Sequence, residues 1–259
     1  MLLLVCGLLA WVGRPLRVAA QRDVPPTAGI GISSGVRSVA ADVLWLRAYV
    51  AWERQDREAL QELVRAVSAI DPRPLPFWLN SARMMAYDVP QWRLAEAAAG
   101  GYLPAAVRQR IVDQQVQAAL RHLAQGRRFH PHAAALWVEE GQIQLNVRGD
   151  LAAAAAAYRE AARQPQAPYY AARIYAELLL RLGRPAEAYD WLKALHPELD
   201  LIRAAGERER AMPDVVLERI RELERLLNRP DSDCYSPRRD QAALTVEAMP
   251  VFPKGPRNS

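Results

Sequence analysis

Residues 171–197 read AARIYAELLLRLGRPAEAYDWLKALHP. Apolar residues recur every three to four positions on both sides of Leu182-Gly183-Arg184. The stretch therefore predicts two amphipathic helices joined by a tight polar turn. Pro197 is expected to stop the second helix, because proline lacks the N–H and its ring crowds the preceding turn. Residues 43–72, VLWLRAYVAWERQDREALQELVRAVSAIDP, follow the same plan, with Arg54-Gln55-Asp56 as the turn and Pro72 as the stop. Residues 151–165, LAAAAAAYREAARQP, follow Gly149-Asp150 and read as the second helix of another such pair.

The plan recurs in register. Asp71-Pro72 is followed by Trp78 six residues after the proline, and His130-Pro131 is followed by Trp137 at the same distance. Four residues beyond each tryptophan stands a small residue, Ala82 or Gly141. These residues resemble the tetratricopeptide repeat, a 34-residue helix–turn–helix unit with small residues at its helix crossings and a proline at its end. The resemblance implies an all-α fold, an α-solenoid of antiparallel helix pairs over residues 37–228. In that register Ala48, Ala82, Gly141 and Ala176 occupy the small position of the first helix, and Ala119, Ala154 and Ala188 that of the second. Pro72, Trp78, Pro131 and Trp137 complete the packing set. A small side chain at a crossing lets two helices approach to ~8–10 Å between axes.

Some positions depart from the pattern. Leu60 and Val67 replace expected small residues, and Arg47 and Glu140 occupy slots that are usually apolar. Residues 87–125 do not make one unit. Asp88 before Val89-Pro90 is expected to end a helix, after which come a short helix near residues 92–99, a Gly100-Gly101 break and a long helix over residues 104–125. Residues 213–228 place Val216, Ile220, Leu223 and Leu227 on one side and Glu218, Arg219, Arg221, Glu222 and Arg225 on the other. Such an amphipathic helix is the usual cover for the apolar end of a repeat stack.

The resemblance also implies a concave binding face, lined by the first helix of each pair. Carried over position by position, it contains Trp45, Tyr49 and Trp52, then Leu79, Asn80 and Arg83, then Val138, Glu139, Gln142 and Asn146, then Arg173, Glu177 and Arg181. Aromatic residues and arginine dominate binding hot spots, so this set suits a protein or peptide partner. Trp45 and Trp52 have a second reading, as core residues covered by the preceding linker. The family's Lys/Asn carboxylate clamp has no match here.

Composition agrees with a helical body. Of 259 residues 46 are alanine, the best helix former, and 51% are hydrophobic. Net charge is +5, but the 34 basic residues, 32 of them arginine, are interspersed with acidic ones, so nucleic-acid binding is not expected. Cys6 and Cys234 are too few for a disulfide framework or a cysteine zinc site. There is no phosphate loop, zinc-protease helix or serine-hydrolase elbow, and His130-Pro131-His132 reads as a loop pair at a helix start. No catalytic residue, cofactor or metal is expected.

Residues 2–12, LLLVCGLLAWV, are uncharged but shorter than the ~20 residues a membrane helix needs. Residues 1–20 read as a signal anchor or a cleaved signal peptide, 21–36 as a linker, 37–228 as the helical domain and 229–259 as a structureless, proline-containing tail. The expectation is a membrane-anchored interaction scaffold with its folded domain in the periplasm, or at the cytoplasmic face, or secreted after cleavage. An assembly or secretion chaperone and an accessory subunit of an envelope enzyme are the alternatives.

Overall fold

The computed structural model describes residues 34–202 and 205–237, so the signal-anchor and linker expectations lie largely outside the described residues. The chain divides into two units, Met1–Arg37 and Ser38–Ser259. Of the first, only the opening turn of one helix is described. No strand occurs among the described residues. No helix among them is long and apolar enough to cross a membrane.

The helices are α1 (Ser34–Glu53), α2 (Arg57–Ile70), α3 (Leu75–Arg83), α4 (Val89–Ala98), α5 (Ala105–Phe129), α6 (Ala134–Ile143), α7 (Leu151–Ala162), α8 (Tyr169–Arg181), α9 (Pro185–Asp200), α10 (Ala205–Ala211) and α11 (Pro213–Leu226). Their starts follow from local chemistry. Asp56 accepts a hydrogen bond from the Ala59 N–H at 3.1 Å, and Asp150 accepts one from Ala153 at 2.9 Å, each satisfying a donor left free in the first helical turn. Pro185 and Pro213 sit at the start of α9 and α11, where the missing N–H costs nothing. The turn before α9 needs Gly183, whose φ is +73°.

Helices pack mainly against their neighbours in sequence: α6 on α7, α7 on α8, α8 on α9, and α9 on α11. A large apolar cluster follows that series from Val138 to Tyr235. A second cluster joins α3 and α5 around Trp78, and a third joins α1, α2 and the start of α4 around Leu60. All seven small residues placed at crossings are buried: Ala48, Ala82, Ala119, Ala154, Ala176, Ala188 and Gly141. Gly141 has a visible reason to be glycine. A Cβ there would stand 2.8 Å from the Tyr158 ring. Gly126 plays the same part against Trp78, at 3.0 Å, and nothing in the repeat register had singled it out.

Three sequence expectations are corrected. The helix holding Trp78 does not end at Asp88. It continues through one wide π-helical segment, Met84–Asp88, into α4, with the Val89 N–H bonded to the Met84 carbonyl five residues back. The wider turn frees the backbone where Pro90 would otherwise crowd it. Pro197 does not stop α9, which runs three residues further to Asp200. Leu195, Pro197 and Leu199 are all buried, and their packing outweighs the one lost backbone bond. Finally, Tyr235 lies within the segment expected to be structureless, yet it is 1% exposed and belongs to the large cluster.

Candidate functional site

A second π-helical segment, Gln144–Arg148, extends α6 and is closed by Gly149 at φ +68°. The two π segments follow the two equivalent small residues, Ala82 and Gly141. Both occur where the Trp-x-x-x-small pattern was read. Such segments cluster at functional sites, because they re-aim side chains without breaking the helix.

Side chains from the two segments and from the helix turns before them come together here. Glu139 on α6 is 1% exposed, and its Oε2 accepts from the Arg83 guanidinium at 2.7–2.8 Å. Arg83 leaves more than half of its side chain exposed. Tyr87, from the first π segment, lies near enough to Asn146, from the second, for that amide to act on its phenol. Burial raises the Tyr87 phenol above its ordinary range, and Asn146 partly offsets this. Tyr158 forms the floor beneath Gly141, and burial pushes its hydroxyl up to about 12. Tyr170, exposed at the start of α8, couples electrostatically to both Arg83 and Tyr158. The Glu139 Oε1 has no hydrogen-bond partner, although it is buried.

A charge held this far from water is costly, and Arg83 supplies the compensation. The hydrogen bond that Arg83 donates to Glu139 raises the guanidinium pKa above its ordinary value. The result is a short polar strip, arginine, tyrosine and asparagine, beside an acidic floor with spare acceptor capacity. It can hydrogen-bond a peptide backbone, an amide or a carboxylate. Tyr158 stays protonated near neutral pH and is therefore a poor base. No group of His, Cys, Asp or Glu among the described residues is arranged to hold a metal ion.

The expected groove divides three ways. Arg83, Glu139 and Asn146 come together as described. In the first unit Trp45 stacks on Phe77 at 5.1 Å, Tyr49 lies against Trp52 at 5.3 Å, and Trp52 Nε1 donates to Asp88 at 2.8 Å. The two tryptophans are thus half-buried in intramolecular packing. In the last unit Arg173 donates to the Ala211 carbonyl at 3.1 Å, and Glu177 is paired with Arg219 of α11. The chain's own C-terminal helices engage these two groups, which corrects their placement on a free face. A cavity of about 420 Å³ remains between α8, α9 and α11, lined in part by Ile174, Leu192 and Val216. Asn80 and Gln142 are half-buried, and Arg181 is exposed.

The packing tryptophans also differ from each other. Trp78 is 2% exposed, stacks near His122 at 4.6 Å and Phe129 at 5.8 Å, and donates to the Pro72 carbonyl at 2.8 Å. The same carbonyl accepts from His130 Nε2 at 3.0 Å, which fixes the stop before α3 to the loop before α6. Pro131 is exposed beside it. Trp137 is half-buried, packed against the large cluster with the Arg127 guanidinium 3.8 Å over its ring, and is thus less enclosed than Trp78. Tyr87, Tyr158 and Tyr170 were missed as site residues. The signals available were Pro90 just beyond a helical run and the Tyr169-Tyr170 pair after Pro168. No protein-family model matches the chain, and no curated protein or solved structure matches it either.

Proposed function

We propose that this chain is a non-catalytic scaffold of tetratricopeptide-like architecture, a solenoid of helix pairs closed by α11, that binds a peptide or protein segment across Arg83, Tyr87, Glu139 and Asn146. The single observation that carries the reading is the buried Glu139 held by a half-exposed Arg83. A buried charge is kept at a cost in stability, and such costs concentrate where a protein meets something else. The solenoid reading is supported by helices packed on their sequence neighbours, by buried small residues at the crossings, and by α11 lying over α9.

In this proposal the N-terminal apolar segment tethers the body to a membrane, with the helical domain on its outer side, and raises the local concentration of the partner. Recognition comes from shape and from a few strong polar contacts, with no bond made or broken. Affinity purification of the full-length chain from solubilised membranes tests it. Arg83→Ala and Asn146→Ala should each reduce the co-purified partner roughly tenfold or more while circular dichroism stays unchanged. An identical set of co-purified proteins from wild type and both variants would remove the face from consideration.

A further inference from the structure

α1 is apolar on two opposite sides. Ala41, Leu44, Ala48 and Ala51 are buried towards the helical body. Val39, Val43, Leu46 and Val50 are exposed, Val39 at 63% and Leu46 at 65%, and Tyr49 beside them at 45%. A helix that is apolar all round is one that expects cover on both sides. The exposed residues follow a three–four alternation, and the sequence continues it upstream with Val36 and Ile32. That spacing is the heptad seam of a coiled coil, with Val36, Val43 and Val50 at the first apolar position and Val39 and Leu46 at the second.

The seam specifies its own partner. β-Branched residues at the first position with leucine at the second favour two parallel strands, a pattern met by Val36, Val43, Val50 and Leu46 but not by Val39. In a parallel pair the flanking residue before Val43 meets the one five places later on the other helix. Here those are Asp42 and Arg47, both exposed and of opposite charge. Two-fold symmetry makes the contact twice. A helix lying on a membrane would instead carry Lys and Arg along its polar edge, and Asp42 would face anionic headgroups. A seam of this length buries on the order of 1,000 Å² in total, the lower bound for a specific interface.

We infer that a second copy of this chain covers the outer face of α1, forming a parallel two-helix seam through Val39, Val43, Leu46 and Val50 with Asp42–Arg47 pairs across it. Each copy brings its own Arg83–Glu139 strip, so on the reading proposed above the dimer is bivalent for its partner.

The test uses the full-length chain in mild detergent, followed by analytical ultracentrifugation. Wild type should sediment as a dimer. Asp42→Arg alone, or Arg47→Asp alone, places like charges together and should weaken the dimer at least ~10-fold, while the double exchange restores it to within ~3-fold of wild type. Circular dichroism establishes that each variant is folded. In a Cys6→Ser, Cys234→Ser background, Leu46→Cys should form an intermolecular disulfide on oxidation only if the helices are parallel. A wild-type monomer at ~100 μM would overturn the inference, whether its stripe is covered by its own N-terminal residues or binds anionic vesicles. A dimer indifferent to all three charge variants would overturn it equally.

Discussion

Gly141 and Tyr158 show how one missing methyl group sets a helix crossing. Alanine is the better helix former by ~1 kcal/mol, but a Cβ at Gly141 collides with the aromatic ring of α7. Overpacking of this kind costs ~1–3 kcal/mol. Gly141→Ala should therefore lower stability by about 1 kcal/mol net, read as a shift in the urea midpoint at unchanged slope. A stabilised variant would mean that the ring has room to move. The two tryptophans make a second comparison. Trp78→Ala removes a buried indole with a satisfied N–H and should cost ~3–5 kcal/mol. Trp137→Ala removes a half-buried ring and an arginine contact, and should cost ~1–2 kcal/mol. Equal losses would show that identical spacing does mean identical burial.

At the scale of elements, α3 and α5 are joined through the ring stack of Trp78 and His122. His122 lies on α5, 6% exposed, and its Nε2 lacks a hydrogen-bond partner. Burial lowers its pKa from 6.5 to about 4. Between those two values the unfolded chain binds the proton and the folded chain does not. The α3–α5 contact thus loses stability as pH falls from 6.5 towards 4, by ~3 kcal/mol in all. Glu198 on α9 acts in the opposite sense. Burial pushes its carboxyl up to about 7, so it is protonated first in the folded state, and its contribution is present at low pH and lost as pH rises through 7. Urea unfolding at pH 7, 5.5 and 4.5 should show His122→Phe more acid-resistant than wild type, because the ring stack survives without the proton. An unchanged acid limb would exclude His122 as the cause.

For the whole molecule, a clasp around Glu224 joins α9, α11 and residue 235. That carboxylate is 4% exposed and accepts from Arg221 at 2.8 Å, from the Tyr189 hydroxyl at 3.4 Å and from the Tyr235 N–H. Its pKa is lowered although burial alone would raise it, because these donors stabilise the charge. The Tyr235 hydroxyl meets His196 Nδ1 at 3.1 Å, which ties residue 235 to α9. Tyr235→Ala should cost ~3 kcal/mol and Tyr235→Phe ~1 kcal/mol in urea unfolding. A loss below 1 kcal/mol for Tyr235→Ala would place the segment outside the cooperative unit.

The sequence by itself determined the helical class, the turns and most helix starts. Apolar periodicity, Asp56 and Asp150 as caps, and Gly183 act within a few residues, so no distant contact is needed to read them. It also carried the burial of the seven small positions, because small residues on an apolar helix face turn inward. The tertiary structure decided what depends on distant partners. Pro90 is tolerated because a π segment relieves it, Pro197 because its turn of α9 is buried, and Trp137 sits at the edge of the large cluster with Arg127 over its ring. It likewise decided which polar groups converge. Arg83 and Glu139 are 56 residues apart and Tyr87 and Asn146 a similar distance. Only the packing of α3 on α6 sets the few ångströms between them, and local periodicity holds no record of that separation.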